Sequence, residues 1–344
     1  MKSSTFASID LASARRRIQG RVHGTPLLHS TSLDQRARLE VWLKAESFQR
    51  GGSFKARGAF NALLAGLEQG DRSGVLAVSS GNHGQAVALA ARELGLPATI
   101  VMPQGASSVK LAAVKGYGAE VVTEGVTGEN REAVASELAA TRGLRLVHPH
   151  NDELVIAGQA TVGSEMVEQC LGNGNRPDLV LVPVGGGGLL AGVALALEER
   201  LPGVPVVGVE PAAGNDGQQS LAQGRLVSLP RTPATAADGA RTLHLGQICW
   251  DVIQGRVEHI VTVSEAEIAA ACWWLWTRCK LVVEPTGAMT TAAALRVAQN
   301  PEEFGLGGPV QSSTRVVCIV SGGNCTPDQI ASLLSEQPWD DALS

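Results

Sequence analysis

The sequence predicts an α/β protein with open, twisted sheets flanked by helices, and three observations carry that prediction. Short apolar runs alternate with helix-patterned stretches along most of the chain, as in parallel strands joined by covering helices. The alternation comes in two sets, the first beginning at Gly74 and the second at Ala157, which favours two sheets over one. Four predicted strands run into polar or glycine-rich turns, at 51–58, 79–84, 185–188 and 321–324. In open α/β sheets ligands bind beyond the carboxyl ends of the strands, so these turns can converge on one crevice.

The elements follow in order. A first helix is predicted over 9–18, then a short strand over 41–44 leading into the turn that carries Lys55. Ser53 is positioned to cap a helix over 56–64. Strands at 75–78, 98–102, 120–122 and 144–147 alternate with helices at 85–94, 109–115 and 129–141, and Gly95 closes the first of these helices. The second set has a helix over 157–170, a strand over 179–184, a helix over 189–199 and a strand over 206–210. Residues 212–240 read as loops with short helices. A strand at 260–263 precedes a helix opened by the capping box Ser264-Glu265-Ala266-Glu267, and its Trp273, Trp274 and Trp276 are expected to pack. A strand over 316–320 and a helix capped by Thr326, with Pro327 at its first position, complete the pattern.

With 344 residues the chain can bury a large core in two domains. A hydrophobic content of 44%, with 18% charged residues and 40 glycines, fits a compact enzyme and excludes disorder. The net charge of −5 gives no basis for binding nucleic acid or anionic membranes. The six cysteines form no CxxC pair, so reduced thiols in a cytoplasmic protein are expected rather than disulfides or a metal cluster. No apolar run reaches membrane-spanning length, and Arg15-Arg16-Arg17 is followed by no signal-peptide core.

Lys55, taken alone, is an ordinary solvated helix residue; its surroundings argue for more. Gly51 and Gly52 permit a backbone closed to other residues and let a ligand come close. Gly185, Gly186, Gly187 and Gly188 precede a helix, a combination that offers unobstructed amides to a phosphate. A tight turn explains the same glycines equally well. Neither a clear dinucleotide fingerprint nor a GxxxxGKS/T loop is present. A small phosphorylated cofactor held by the glycines and bound covalently by a lysine accounts for more of these features.

Five segments together carry a resemblance. Gly52-Ser53-Phe54-Lys55-Ala56-Arg57-Gly58, Ser79-Ser80-Gly81-Asn82-His83-Gly84-Gln85, the Pro183–Gly192 stretch, Gly208-Val209-Glu210-Pro211 and Ser321-Gly322-Gly323-Asn324 occur in order and spacing. In these the chain resembles the serine/threonine dehydratase family, including serine racemase, within the pyridoxal-phosphate enzymes of the tryptophan-synthase-β fold (fold type II). The resemblance implies that Lys55 holds pyridoxal 5'-phosphate, that Gly185, Gly186, Gly187 and Gly188 bind its phosphate, and that Asn82 bonds its ring hydroxyl. It further implies Phe54 and Gly239 on the two ring faces, Ser321 at the pyridine nitrogen and Glu284 nearby. A hydroxyl there stabilises a neutral ring, a weaker electron sink that favours early loss of a β-leaving group.

The substrate carboxylate is expected on Ser79, Ser80, Gly81, Asn82 and His83. Ser80 is a second catalytic candidate, acting on the face opposite the lysine as in the racemases, although ordinary turn bonding explains it equally well. Arg131 and His150 are candidates for the group beyond Cβ. Arg131 suits a second carboxylate, with a surface arginine as the plainer reading, and His150 departs from the aromatic residue or asparagine usual in the family. Glu210, Gly214 and Asp216 resemble a divalent-cation loop for Mg²⁺ or Ca²⁺, with plain acidic loop residues as the alternative.

The implied activity is dehydration and deamination of an L-β-hydroxy-α-amino acid of the serine or threonine type, with 3-hydroxyaspartate or phenylserine as variants. An amino-acid racemase is the alternative, and a β-replacement transferase a weaker one. The family also implies a homodimer, a large domain from 1–51 and 149–344, and a small domain from 52–148. No feedback by isoleucine is expected, since the sequence stops soon after the catalytic body.

Overall fold

In the computed structural model of the protein, residues 9–105 and 108–335 are described, so the serine-rich start of the chain lies outside them. Two sheets form. The larger has the order β1 (Leu27–His29), β2 (Glu40–Ala45), β10 (Arg315–Val320), β7 (Leu179–Pro183), β8 (Val206–Pro211), β9 (His259–Val263). All its pairings are parallel except β1 with β2. The smaller is wholly parallel, ordered β5 (Glu120–Val122), β4 (Ala98–Val101), β3 (Val75–Val78), β6 (Arg145–Leu146). Central strands such as β7 are buried at every residue, because helices cover both faces and leave no polar side to the pattern.

The helices are α1 (Leu11–Ile18), α2 (Thr31–Ala37), α3 (Lys55–Glu68), α4 (Asn82–Leu94), α5 (Ser108–Gly116), α6 (Arg131–Arg142), α7 (Glu153–Gly172), α8 (Gly188–Arg200), α9 (Asp216–Gln223), α10 (Gln247–Ile253), α11 (Glu265–Thr277), α12 (Pro285–Val297) and α13 (Pro327–Ser335). The Ser264 capping box, the Gly95 cap and the Thr326 cap form as the sequence predicts. Trp274 and Trp276 pack on the core, and Trp276 donates to Val283 O at 3.0 Å.

One expectation fails. Ser53 does not cap the lysine helix: it is extended (φ −161°, ψ 160°), bridges to Gly322, and its buried hydroxyl has no hydrogen-bond partner. Phe54 takes the cap position with no side-chain bond. Pairing with the 321–324 turn outweighs the local preference of serine for a helix cap.

A buried polar knot fixes α3 against β2 and α7. Arg57 donates Nε and Nη2 to the two carboxylate oxygens of Glu46 at 2.8 and 2.7 Å, and Nη1 to Glu165 at 3.1 Å. Lys44 donates to Thr25 O at 2.7 Å, to Gln169 at 2.9 Å and to Glu165. The side chains of Lys44, Glu46 and Arg57 are at most 1% exposed, so each charge relies on these partners.

Candidate active site

Hydrogen bonds and packing tie the four turns together. The Phe54 amide donates to Ser321 O at 3.1 Å and the Gly323 amide to Gly52 O at 2.9 Å. Asn324 reaches across with one amide group, donating to Gly51 O at 2.7 Å and to Asn82 Oδ1 at 2.9 Å, and Asn82 donates in turn to Glu284 at 2.8 Å. Lys55 Nζ donates to Pro149 O at 2.8 Å and lies 5.0 Å from the centre of the Phe54 ring. The next residue, His150, lies against Gly186 and Gly188, which brings the glycine turn to the lysine.

Lys55 pairs with no carboxylate among the described residues, and burial lowers its pKa to about 8, an effect that nearby Cys249 and Glu284 offset only in part. The amine is therefore close to half neutral near pH 8, which suits a nucleophile and a general base.

Among the described residues, none of the amides of Gly185, Gly186, Gly187 and Gly188 donates to another backbone carbonyl. They stand at the N-terminus of α8, where free N–H groups and the helix dipole favour an anion. Three of these glycines, Gly185, Gly186 and Gly187, are required. Gly187 has φ +89° with Cys249, Ile253 and Leu245 packed around it, and a side chain on Gly186 would run into the His150 ring. Gly185 is held close to Gly239 O, and the Gly239 amide donates to Thr286 Oγ1 at 3.0 Å.

The 79–84 turn has the same character at the head of α4. Gly81 N donates to Ser79 Oγ at 3.1 Å, while Ser80 is half-exposed and its hydroxyl is unpaired among the described residues. The His83 ring turns inward to Val147 O at 2.8 Å. Burial, then the Lys55 charge, hold its pKa down at about 3, so the ring stays neutral and its amide is what the crevice can use. His148 accepts the Asn151 amide on Nδ1 at 2.8 Å, which places its proton on Nε2. Burial, then Lys55 and His244, lower its pKa to about 4.

The residues fit a pyridoxal-phosphate cofactor on two structural grounds. The free amides form an anion cradle, and the buried hydroxyl of Ser321 has no partner among the described residues, which suits it to meet a ring nitrogen.

The cation loop is separate. Glu210 is buried and accepts the Gly217 and Gln218 amides at 2.8 and 2.9 Å. Burial, then Asp216, raise its pKa to about 8, and burial raises that of Asp216 to about 7. Asp216 Oδ2 is buried and unpaired, and Gly214 turns back with its amide on Pro211 O at 2.8 Å. The described residues contain no group of three or more His, Cys, Asp or Glu side chains arranged for a metal. Arg131 opens α6 with its side chain 43% exposed, its ion pair being a loose 3.9 Å contact with Glu132.

Sequence reasoning gave no separate role to Asn324, Thr286 or Pro149. Asn324 lay inside a segment already singled out, Thr286 two residues from Glu284, and a backbone carbonyl such as that of Pro149 leaves no mark in a sequence.

The comparisons agree with this geometry. The family model described as "Pyridoxal-phosphate dependent enzyme" matches residues 18–322. An L-threo-3-hydroxyaspartate ammonia-lyase of Saccharomyces cerevisiae is 43% identical over 95% of both chains. A serine racemase of Schizosaccharomyces pombe is 41% identical over 95% of this chain and 97% of its own. Among solved structures, a T.th. threonine deaminase superposes with a TM-score of 0.85 at 46% identity, covering 92% of this chain and 97% of that one. The chain therefore belongs to the pyridoxal-phosphate dependent enzymes and, within them, to the serine/threonine dehydratase family that includes the serine racemases.

Proposed function

We propose that the protein is a pyridoxal-phosphate-dependent ammonia-lyase that eliminates water from an L-β-hydroxy-α-amino acid, the resulting enamine then taking up water to give a 2-keto acid and ammonia. The observation that carries the reading is the half-buried Lys55 amine, which has no carboxylate partner among the described residues and sits on one of the four converged turns. When bound, the cofactor supplies an electron sink for the pair left at Cα. Lys55 would hold it, and the Lys55 amine would serve as the base for the Cα proton. Gly185, Gly186, Gly187 and Gly188 would hold the phosphate, Phe54 and Gly239 would flank the ring, Asn82 would meet its hydroxyl, and Ser321 its nitrogen. Glu284 orients Asn82. The amides and hydroxyls of 79–83 receive the substrate carboxylate.

Arg131 and His150 are proposed to meet the group beyond Cβ. The names of two relatives, L-threo-3-hydroxyaspartate ammonia-lyases at 43% and 42% identity, favour a substrate with a second carboxylate. Racemisation is a second reading, supported by the unpaired Ser80 hydroxyl and by the racemase relatives. Glu210, Gly214 and Asp216 are proposed to bind Mg²⁺ or Ca²⁺, which would relieve two buried carboxylates. A small domain of 52–148 is supported by the smaller sheet, whose strands all fall within it. A homodimer is the assembly the family resemblance implies, and Val282, 53% exposed beside Gly323, is one apolar residue it could cover. Six free cysteines support a cytoplasmic setting, and among the described residues no helix is long and apolar enough to cross a membrane.

The test is keto-acid release from L-serine, L-threonine, L-threo-3-hydroxyaspartate and L-threo-phenylserine. Turnover of at least one is expected, with 3-hydroxyaspartate fastest. No release from any of them overturns the reading.

A further inference from the structure

Three histidines lie within electrostatic reach of Lys55, and the protein ties down two of them. His83 is bonded to Val147 O, and His148 accepts backbone amides on Nδ1. The His150 ring has no hydrogen-bond partner among the described residues. Unlike Nδ1 of His83, neither of its nitrogens is sealed from the surrounding space.

Its position is tightly set all the same. A side chain on Gly186 would run into the ring, one on Gly188 would come within 3.1 Å of His150 Cβ, and one on Gly246 would come within 2.9 Å of its Cδ2. The backbone behind it is fixed by Cys249 Sγ, which donates to His150 O at 3.1 Å, and by the Gly246 amide, which donates to Gly186 O at 3.1 Å. A fixed imidazole with a free N–H therefore lies directly over a turn of unpaired amides.

We propose that His150, besides bordering the substrate pocket, is a ligand of the cofactor phosphate, adding a side-chain donor to the amides of Gly185, Gly186, Gly187 and Gly188. The inference rests on the reading that this turn holds the phosphate of pyridoxal phosphate. Backbone amides alone bind an anion without responding to its charge, whereas an imidazole can gain a proton beside it. Within the protein burial, His148, Lys55, His83 and His244 all disfavour the imidazolium. A phosphate dianion acts in the opposite direction.

Cofactor affinity separates this role from mere packing when pyridoxal phosphate and pyridoxal, which lacks the phosphate, are compared on wild type and H150F. Loss of one hydrogen bond to a charged group should weaken pyridoxal phosphate about tenfold to a hundredfold and leave pyridoxal unchanged. H150Q, which keeps an N–H donor, should recover much of the difference. If H150F does not accumulate, H150A is read the same way. Equal losses for both ligands, or no loss for either, overturn the inference. If wild type itself gives no visible absorption band with pyridoxal phosphate, the cofactor reading has failed instead.

Discussion

Lys44 on β2 is buried and Lys55 at the head of α3 is half-buried, and their surroundings differ in kind. Lys44 has three acceptors, one a carboxylate, inside a knot where Glu46, Glu165 and Arg57 balance charge. Lys55 has one backbone carbonyl and an aromatic face. Burial lowers both pKa values; at Lys44 the carboxylates of Glu165 and Glu46 oppose it, whereas at Lys55 Cys249 and Glu284 offset it only in part and leave it at about 8. A buried cation with its partners present serves the architecture, and one left short of partners is available for chemistry.

Four measurements would break or sharpen that contrast. The largest effect is expected from K55A, which should reduce keto-acid formation by about a thousandfold or more while leaving the urea midpoint nearly unchanged. R57L is its counterpart in the knot. Stranding Glu46, and leaving Glu165 with Lys44 alone, should cost about 3–5 kcal/mol, read as a lower urea midpoint with unchanged slope. Interchanged phenotypes would mean that the two sites have been misassigned.

Next in size is the pH dependence of Lys55. The neutral amine is the reactive form, so its addition to an aldehyde should rise with pH through a midpoint near 8 rather than the usual 10.5. A midpoint near 10.5 would remove the distinction from an ordinary lysine. The smallest effect concerns the remote loop. Mg²⁺ or Ca²⁺ should raise the melting temperature by a few degrees, roughly 1 kcal/mol of stabilisation, and D216N should abolish the gain. An equal gain in D216N would move the cation elsewhere.

The fold was largely legible because strand and helix alternate with clear punctuation, and the capping box at Ser264 shows how local that information is. What escaped had no local signature. The sequence reading assigned no helix over α12, whose Ala- and Thr-rich run is buried along most of its length and lacks a polar face to set a period. Helices α2 and α10 span only seven residues each, too short for a periodic pattern to build up. The Ser53 cap failed because a partner more than 260 positions away, Gly322, decided its backbone. The polar knot was invisible for the same reason, since Lys44 and Glu165 meet only in three dimensions. In the site, the lysine and glycine turns were readable as motifs. The tautomer of His148, the inward turn of His83 and the place of His150 over Gly186 depend on packing that no spacing encodes.

Of these two lysines, buried Lys44 serves the architecture and half-buried Lys55 is the one available for chemistry. The most direct test is borohydride reduction of the protein loaded with pyridoxal phosphate, followed by peptide mapping. About one equivalent of reduced cofactor on the peptide containing Lys55, and none on Lys44, is the result expected. Label on Lys44, or spread evenly over the lysines, would contradict it.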